Sequence, residues 1–333
     1  MSDLVKIAVD AMGGDGSPKK VIDGIILNHK INANNYFKIF GNKKEIIDLI
    51  NDKINKNYYD VVDTNNIVKS TDSPLEAAKR GKDTSMWLSI ESVKNKDSDI
   101  VISAGNTGAL LVIAKLNLKM IDNIDKPALS ALWPNKKGMS VVLDLGANIE
   151  CSSKNLLDFS IMGASLYKSL YPNENPNVAL LNIGSEELKG NEVIKETFHI
   201  LKKKKSSDFN FSGYIEGNEL MNGIVNVIVA DGFTGNVALK TAEGTANFIT
   251  GELKNALSGS LLGKLSSLLN ISNLKKFKKR LDPRLYNGAI FIGLTSPVVK
   301  SHGGTDHIGF SNSLDVCNRI VKGNLINKIK SNI

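Results

Sequence analysis

Short apolar runs alternate with stretches of helical periodicity along almost all of this 333-residue sequence, and this alternation most restricts its fold. The runs lack the polar alternation of half-exposed strands, so they predict strands buried on both faces, as in parallel sheets. They lie at Leu4–Asp10, Tyr36–Phe40, Tyr58–Val62, Asp99–Ser103, Met139–Asp144, Asn177–Ile183 and Val225–Ala230. The order β-α-β-α predicts a doubly wound α/β fold with a mostly parallel sheet. No linker or internal repeat interrupts it, which predicts one continuous domain over residues 1–333.

Three helix starts carry capping signals. Asn42 is placed to cap a helix over Glu45–Ile50. Ser17-Pro18 and Ser73-Pro74 each offer a capping side chain followed by proline at the first helical position. The second of these pairs precedes a stretch that predicts one long helix through about Val93.

Residues 251–282 break the pattern, because they show helical periodicity and no predicted strand. We expect a helical hairpin attached to the α/β core. Its leucines recur at helical spacing between basic residues, as in helices that lie at a membrane surface, which makes Leu261, Leu265 and Leu268 predicted membrane contacts. Packing of the same leucines against a partner subunit or the core remains an alternative, as does binding of an acidic protein by the basic residues.

Composition narrows the possible functions. No apolar run reaches the ~18 residues of a membrane-spanning helix, and the first residues lack a signal-peptide pattern, which predicts a cytoplasmic protein. Cys151 and Cys317 are isolated in the sequence, which argues against structural zinc. The net charge of +8 suits an anionic partner. Aromatic residues do not follow the lysine clusters as they do in single-strand binders, so we expect no nucleic acid.

The turns that follow the predicted strands are the candidate sites of chemistry, because ligands of open α/β sheets bind outside the carboxyl ends of the strands. Five such turns combine glycine with Asn, Thr or Asp, and small residues before a helix let backbone N–H groups approach an anion. These turns are Asp10–Asp15, Ser103–Gly108, Asp144–Asn148, Asn182–Gly184 and Asp231–Asn236. None matches a nucleotide-binding loop, and the sequence has no G-x-S-x-G nucleophile motif.

One histidine and one possible metal pair stand out among the remaining residues. His302 lies where a predicted strand runs into a glycine-rich turn, so it is a candidate to line the site. Asp306 and His307 are two potential metal ligands close in sequence, but two ligands do not make a metal site. We therefore expect neither a metal nor a cofactor.

Taken in order, the turns resemble those of the bacterial acyl-ACP:phosphate acyltransferase family. The matching runs are Ile7–Asp15, Ser103–Ala109, Leu143–Asn148, Leu180–Gly184, Asp231–Val237 and Val299–Gly303, and they extend over nearly the whole chain. One departure is Gly16, which stands where the family usually has histidine, so a role of that histidine does not carry over to this chain. A milder change is Tyr286-Asn287-Gly288 in place of the family's Tyr-Gly-Gly.

This resemblance implies an activity, a fold and partners. The reaction would be transfer of a long-chain acyl group from acyl carrier protein (ACP) to inorganic phosphate, giving acyl phosphate and free ACP for phosphatidic acid synthesis. The fold would be the homodimeric α/β fold of phosphotransacetylases and isocitrate/isopropylmalate dehydrogenases. The protein would associate peripherally with the membrane, where a downstream glycerol-3-phosphate acyltransferase uses the product.

The resemblance also implies roles for individual residues. Lys189 and Asn236 would be catalytic, with Lys189 neutralising phosphate or developing charge and Asn236 donating to the carbonyl oxygen. The expected residues for phosphate binding or orientation are Asn106, Thr107, Asn148, Lys300 and His302. Because a thioester is already activated, direct attack by phosphate needs no covalent acyl-enzyme.

Three alternatives remain open from the sequence. A phosphotransacylase of the acetyl or butyryl type would use acyl-CoA in place of acyl-ACP. A decarboxylating dehydrogenase of the related fold would need clustered carboxylates for a divalent metal, which the sequence does not suggest. The third alternative is a nonenzymatic basic protein that binds membranes.

Overall fold

In the computed structural model, which describes residues 4–204, 206–260 and 268–333, the strands form one eleven-stranded sheet. The strands are β1 Val5–Asp10, β2 Asn35–Gly41, β3 Tyr59–Asp63, β4 Ile100–Ser103, β5 Ala128–Pro134, β6 Met139–Leu143, β7 Asn177–Asn182, β8 Asn210–Glu216, β9 Val227–Val229, β10 Ala289–Ile292 and β11 Val298–Lys300. Their order across the sheet is β3-β2-β1-β4-β11-β10-β5-β6-β9-β7-β8.

Helices cover both faces of this sheet. They are α1 Lys19–Ile31, α2 Lys43–Ile50, α3 Pro74–Arg80, α4 Ser85–Lys94, α5 Thr107–Leu118, α6 Ser153–Leu170, α7 Glu192–Lys203, α8 Gly232–Ser258, α9 Ile271–Arg280, α10 His307–Lys322 and α11 Leu325–Asn332. Short 3₁₀ turns lie at Lys56–Tyr58, Gly217–Glu219 and Pro283–Tyr286. The α/β class and the mostly parallel sheet predicted from the sequence are confirmed. Among the described helices, none is both long and apolar enough to cross a bilayer.

The two halves of the sheet run in opposite directions. Pairing is parallel from β3 to β11 and from β6 to β8, whereas β10 is antiparallel to both β11 and β5, and β5 is antiparallel to β6. Consequently β1, β4 and β11 end towards one side of the sheet, and β6, β7 and β9 end towards the other.

Alternate residues of the strands enter separate apolar clusters. Ile7 and Val9 of β1 pack on the face covered by α1, α6, α10 and α11, while Ala8 packs with α3, α4 and α5 on the other face. On that second face, the sheet half around β6 packs against Ala238 and Leu239 of α8. Leu129 of β5 contacts the clusters under both α5 and α8, so β5 joins the two halves.

Two of the three predicted caps are confirmed. The side chain of Asn42 accepts a hydrogen bond from the Glu45 amide at the start of α2, and Ser73 accepts one from Glu76 at the start of α3. The prediction for Ser17 is wrong, because α1 begins only at Lys19 and the Ser17 hydroxyl donates to the Gly13 carbonyl instead.

The prediction of one long helix from Pro74 to about Val93 is also wrong. Helix α3 ends at Arg80, and α4 begins at Ser85. Thr84 separates them, because its hydroxyl accepts from the Trp87 amide as the cap of α4 and donates to the Gly81 carbonyl. The capping hydroxyl therefore starts a second helix where helical periodicity alone predicted a continuous one.

The predicted hairpin over residues 251–282 is only partly covered by the described residues. Residues 251–258 are the last turns of α8, which begins at Gly232, so the helix does not start near Gly251 as predicted. The basic part forms α9. Leu261 and Leu265 lie outside the described residues, and the side chain of Leu268 is 66% exposed.

Candidate functional site

Turns at the carboxyl ends of three neighbouring strands, β1, β4 and β11, form what we call the first turn group, residues 10–15, 103–108 and 300–304. Glycine permits their close approach, because a Cβ on Gly13 would lie 2.6 Å from the Gly105 nitrogen. The Asp15 amide donates to the Gly303 carbonyl over 3.1 Å, and the Ser301 amide donates to the Ser103 carbonyl over 2.9 Å. The three turns are therefore fixed to one another by backbone contacts.

Asp10 lies beneath this group and is almost completely buried. Its carboxylate accepts hydrogen bonds from the hydroxyls of Ser85 and Ser103, each over 2.6 Å, and from the Met12 amide over 3.2 Å. Burial raises the pKa of Asp10, and these donors oppose that change. Asp10 is thus a buried carboxyl group, held by three hydrogen bonds beneath the turns.

Lys300 ends β11 and points to the face covered by α5 and α8, because its neighbour Val299 packs on the opposite face. Its side chain is 8% exposed, and its ammonium donates to the carbonyls of Ala104 and Ser301. Burial, followed by the positive charge of Lys20, lowers the pKa of Lys300 to about 8. Lys300 is therefore still mostly charged at neutral pH, and its placement fits the phosphate-binding role expected for it.

Lys20 joins this site from the first turn of α1, and the sequence analysis did not identify it. Its side chain is 9% exposed, and its ammonium donates to the Gly303 carbonyl. Burial lowers the pKa of Lys20, and the charge of Asp15 opposes that change. The sequence offered no signal, because Lys19-Lys20 resembles any solvated pair of lysines at the start of a helix.

His302 lies one residue beyond the buried Ser301, with its side chain reaching solvent. Its amide donates to the side-chain oxygen of Asn287 over 2.9 Å, and its Nδ1 accepts from the Gly304 amide over 3.2 Å. Partial burial and the charge of Lys300 lower the pKa of His302. A neutral imidazole at this exposed position can exchange a proton with a bound substrate.

Asn106 and Thr107 open α5 within the first turn group. The Asn106 side chain is committed to structure: it accepts from the Ala109 amide and donates to the carbonyls of Ser70 and Asp72. Thr107 is exposed. The side chain of Thr107, rather than that of Asn106, is therefore available to a ligand, together with the N-terminal amides of α5.

The second turn group comprises residues 144–148, 182–190 and 230–236, at the carboxyl ends of β6, β7 and β9. Asp144 is fully buried and accepts from the amides of Leu129, Ala147 and Asn148. The Asn148 side chain donates to Asp144 and to the Pro127 carbonyl, leaving its own oxygen as an acceptor. Burial raises the pKa of Asp144, against these donors.

Asn236 lies in the first turns of α8, and its side chain is exposed. The helix start is held tightly against the 144–148 turn, because a Cβ on Gly235 would lie 2.0 Å from the Asp144 carbonyl oxygen. A Cβ on Gly146 would lie 3.4 Å from Cβ and Cγ of Asn236. The absence of side chains at both glycines lets the Asn236 amide stand beside a turn backbone, with its donors facing solvent.

Lys189 lies in the turn after β7, next in the sheet to β9. Its carbonyl accepts from the Asn182 side chain over 3.1 Å, and its own amide donates to the Glu186 carbonyl over 2.9 Å. A Cβ on Gly184 would meet its side chain at 3.1 Å, and the side chain is exposed. The turn backbone is thus fixed while the ammonium group remains accessible.

Helix α8 connects the two turn groups. It starts beside Asn148 and Gly146, and one turn after Asn236, about 6 Å along its axis, comes Lys240. The charges of Lys240 and of Glu243 act on the imidazole of His302. Although the strands end towards opposite sides of the sheet, residues of both groups therefore lie near one stretch of α8.

Metal ligation and thiol chemistry find little support among the described residues. No group of three or more His, Cys, Asp or Glu side chains there is arranged to hold a metal ion. Cys151 is half-buried near the second turn group, and burial raises the pKa of its thiol to about 11. Burial also raises the pKa of Cys317. Both thiols are protonated at neutral pH, which makes them weak nucleophiles.

The chain is similar to a family of known proteins, to individual relatives and to solved structures. The family described as "Fatty acid synthesis protein" matches residues 5–328. The phosphate acyltransferase of Pelagibacter ubique is 73% identical over the full length of both chains, and that of Rhodospirillum rubrum is 44% identical over all of this chain and 95% of the relative. A phosphotransacetylase from Streptococcus pyogenes superposes with a TM-score of 0.63 at 14% identity, covering 98% of this chain and 95% of that chain. The last likeness concerns the fold alone.

Proposed function

The chain belongs to the phosphate acyltransferase family, and from that premise we propose that it transfers a long-chain acyl group from acyl-ACP to inorganic phosphate. The observation that carries the phosphate half of this proposal is Lys300, a buried ammonium group where three strands end in glycine-rich turns beside the N-terminus of α5. Backbone amides, a helix terminus and a fixed cation are the usual parts of a phosphate site.

In the proposed reaction, a phosphate oxygen attacks the thioester carbonyl carbon, the C–S bond breaks, and the thiolate leaves as free ACP after taking up a proton. Asn236 donates to the carbonyl oxygen as negative charge develops there. Lys189 neutralises charge on phosphate or on the leaving group. Lys300, His302 and Thr107 hold the phosphate, while Asn106 and Asn148 fix the turns. No step requires a covalent intermediate on the protein.

The first prediction concerns the reaction itself. Incubation of the pure protein with palmitoyl-ACP and labelled phosphate is expected to give labelled acyl phosphate and free ACP in equal amounts, detected by chromatography. Activity is expected to persist in a chelator and without nucleotide. Loss of activity in the chelator, restored by a divalent cation, would contradict the metal-free scheme.

The donor distinguishes this proposal from an acyl-CoA phosphotransacylase. We expect a higher kcat/KM for palmitoyl-ACP than for palmitoyl-CoA under the same conditions. Equal kcat/KM values would contradict ACP as the preferred donor. They would not contradict acyl transfer to phosphate.

A second prediction concerns Lys189. Lys189→Ala is expected to lower turnover roughly 10- to 150-fold, because a hydrogen bond to a charged group contributes about 1.5–3 kcal/mol. The matched control is Lys203→Ala, which removes an exposed lysine that forms no ion pair within the described chain and should change turnover less than twofold. Lys202 is unsuitable as a control because it pairs with Glu187 in the Lys189 turn. Equal rates for the Lys189 and Lys203 variants would exclude a catalytic role for Lys189.

The remaining proposals concern assembly and location. We propose a homodimer that associates with the membrane surface and delivers its product to a downstream glycerol-3-phosphate acyltransferase. Two exposed apolar side chains of α8, Phe248 and Ile249, support a protein contact along this helix. Exposed Leu268 and Leu269, close in sequence to the lysines of α9, support contact with an anionic bilayer.

A third prediction tests the membrane contact. The protein is expected to float with anionic vesicles and to dissociate in high salt, since each lysine near an anionic surface contributes about 1 kcal/mol. Leu268→Glu with Leu269→Glu should abolish flotation and leave acyl transfer intact, whereas Leu116→Glu, at an exposed leucine of α5, should float normally. Conversion of the double variant to monomers would instead identify these leucines as a subunit interface.

A further inference from the structure

Two buried ammonium groups lie together in the first turn group. Lys20 and Lys300 are 9% and 8% exposed, respectively. Both reach the junction of the Gly14, Ala104 and Gly303 backbones: Lys20 donates to the Gly303 carbonyl, and Lys300 donates to the Ala104 carbonyl over 3.4 Å. The ammonium nitrogen of Lys20 also lies 2.9 Å from where a Cβ of Gly14 would be.

Two carboxylates act on these cations without pairing with them: the charge of Asp15 opposes the lowering of the Lys20 pKa, and that of Asp10 opposes the lowering of the Lys300 pKa. Within the described residues, neither forms an ion pair with Asp or Glu. The carboxylate oxygens of Asp10 are already engaged by Ser85, Ser103 and Met12. The positive charge of Lys20 is one of the causes that lower the pKa of Lys300, so the two groups repel each other. Two like charges buried side by side are unfavourable unless a negative partner compensates them.

Donors remain available at this junction. An ammonium group has three N–H donors, and carbonyls accept one from Lys20 and two from Lys300. The amides of Gly14 and Gly303 donate to no acceptor within the part of the chain that the structure describes. Cationic and amide donors thus converge on one point, an arrangement that suits a tetrahedral anion with several acceptor oxygens.

We propose that Lys20 and Lys300 together form the binding site of the acceptor phosphate, with Lys20 as its second ammonium ligand. This inference rests on the proposed function for the identity of the anion. Phosphate between the two ammonium groups offsets their repulsion and supplies a negative charge in direct contact with both of them.

Direct binding of inorganic phosphate to the full-length protein, without acyl donor, tests the site. By isothermal titration calorimetry, Lys20→Met and Lys300→Met are each expected to raise the Kd for phosphate on the order of tenfold or more. The control is Lys19→Met, which removes the neighbouring lysine, 70% exposed and paired with Asp23, and should leave the Kd unchanged. Lys20→Arg keeps a cation and should retain most of the affinity.

Steady-state kinetics separates ligand binding from a purely structural role of Lys20. In Lys20→Met the KM for phosphate should rise on the order of tenfold while the KM for palmitoyl-ACP stays within about twofold. Equal increases in both constants, or an unchanged phosphate Kd, would overturn the assignment. If Lys20→Met does not fold, Lys20→Gln can replace it, because glutamine retains a donor for the Gly303 carbonyl without the charge. A wild-type phosphate Kd in Lys20→Gln would also overturn the assignment.

The outcomes also separate this site from the proposed reaction. A wild-type protein that binds phosphate through Lys20 and Lys300 but makes no acyl phosphate would overturn the proposed function. The proposed phosphate site would still stand. If the wild-type protein makes acyl phosphate and Lys20→Met has an unchanged KM for phosphate, the proposed phosphate site is overturned. The proposed function would still stand.

Discussion

Asn236→Ala is expected to lower turnover roughly 100- to 1,000-fold, because loss of one oxyanion donor costs about 2.7–4 kcal/mol of transition-state stabilisation. The exposed Asn236 amide stands beside the Gly146 backbone at the start of α8 and takes no part in the packing of the core. The variant should therefore unfold at the wild-type temperature. Its phosphate KM should also stay close to wild type, since Lys20 and Lys300 are untouched.

Asn247 provides the control for this experiment. It is exposed on the same helix, eleven residues later, which returns to nearly the same side of α8 about 16 Å further along. Asn247→Ala removes the same amide and should retain at least half of the wild-type rate. A folded Asn236→Ala protein with more than half of the wild-type turnover would remove Asn236 from the mechanism.

Gly235→Ala is expected to produce a large loss of stability together with a loss of activity. Its new methyl group would lie 2.0 Å from the Asp144 carbonyl oxygen, a backbone atom of a fully buried residue that cannot move aside. We expect the free energy of unfolding to fall by about 1–3 kcal/mol, towards the upper end of that range for overpacked sites. Activity falls as well, because relief of the clash displaces the neighbouring Asn236.

Gly244→Ala is the matched substitution on the same helix. Among the described residues, no atom lies within 4 Å of a Cβ at Gly244, so alanine there should stabilise the protein by about 0.5–1 kcal/mol through its helix propensity. Urea denaturation of both variants gives the comparison. Equal stabilities would show that α8 can shift away from the 144–148 turn at little cost.

Much of the fold could be predicted because the buried strands carry a local signal. The apolar runs that become β1, β4, β6 and β7 have no polar alternation, and each lies within the sheet. Three strands, β5, β8 and β10, are not among the predicted ones. β8 is a partly exposed edge strand with a mixed sequence, and the direction of β5 and β10 depends on pairing with residues far along the chain. Hence the reversal of the sheet could not be predicted locally.

The candidate site, like the fold, could be predicted only where the signal is local in the sequence. Glycine-rich turns after strands marked where Lys300, His302 and Asn236 lie, since that pattern is local. Lys20 was missed because its burial depends on Gly303, 283 residues further along the chain. The contacts of the Asn106 side chain could not be predicted for a related reason: it donates to carbonyls of the 70–72 segment, which no spacing around Asn106 reveals.

The contacts that join the turns after β1, β4 and β11 have a consequence for the entropy of binding. Gly13 lies against the Gly105 backbone, and the Asp15 amide is bonded to Gly303, so these turns have already lost their conformational freedom when the chain folds. Fixing the backbone of one residue costs about 1–2 kcal/mol of conformational entropy. Here that free energy is lost during folding and not when the ligand binds. An anion that enters between the turns meets donors that are preorganised, and its affinity is not reduced by the ordering of a loop.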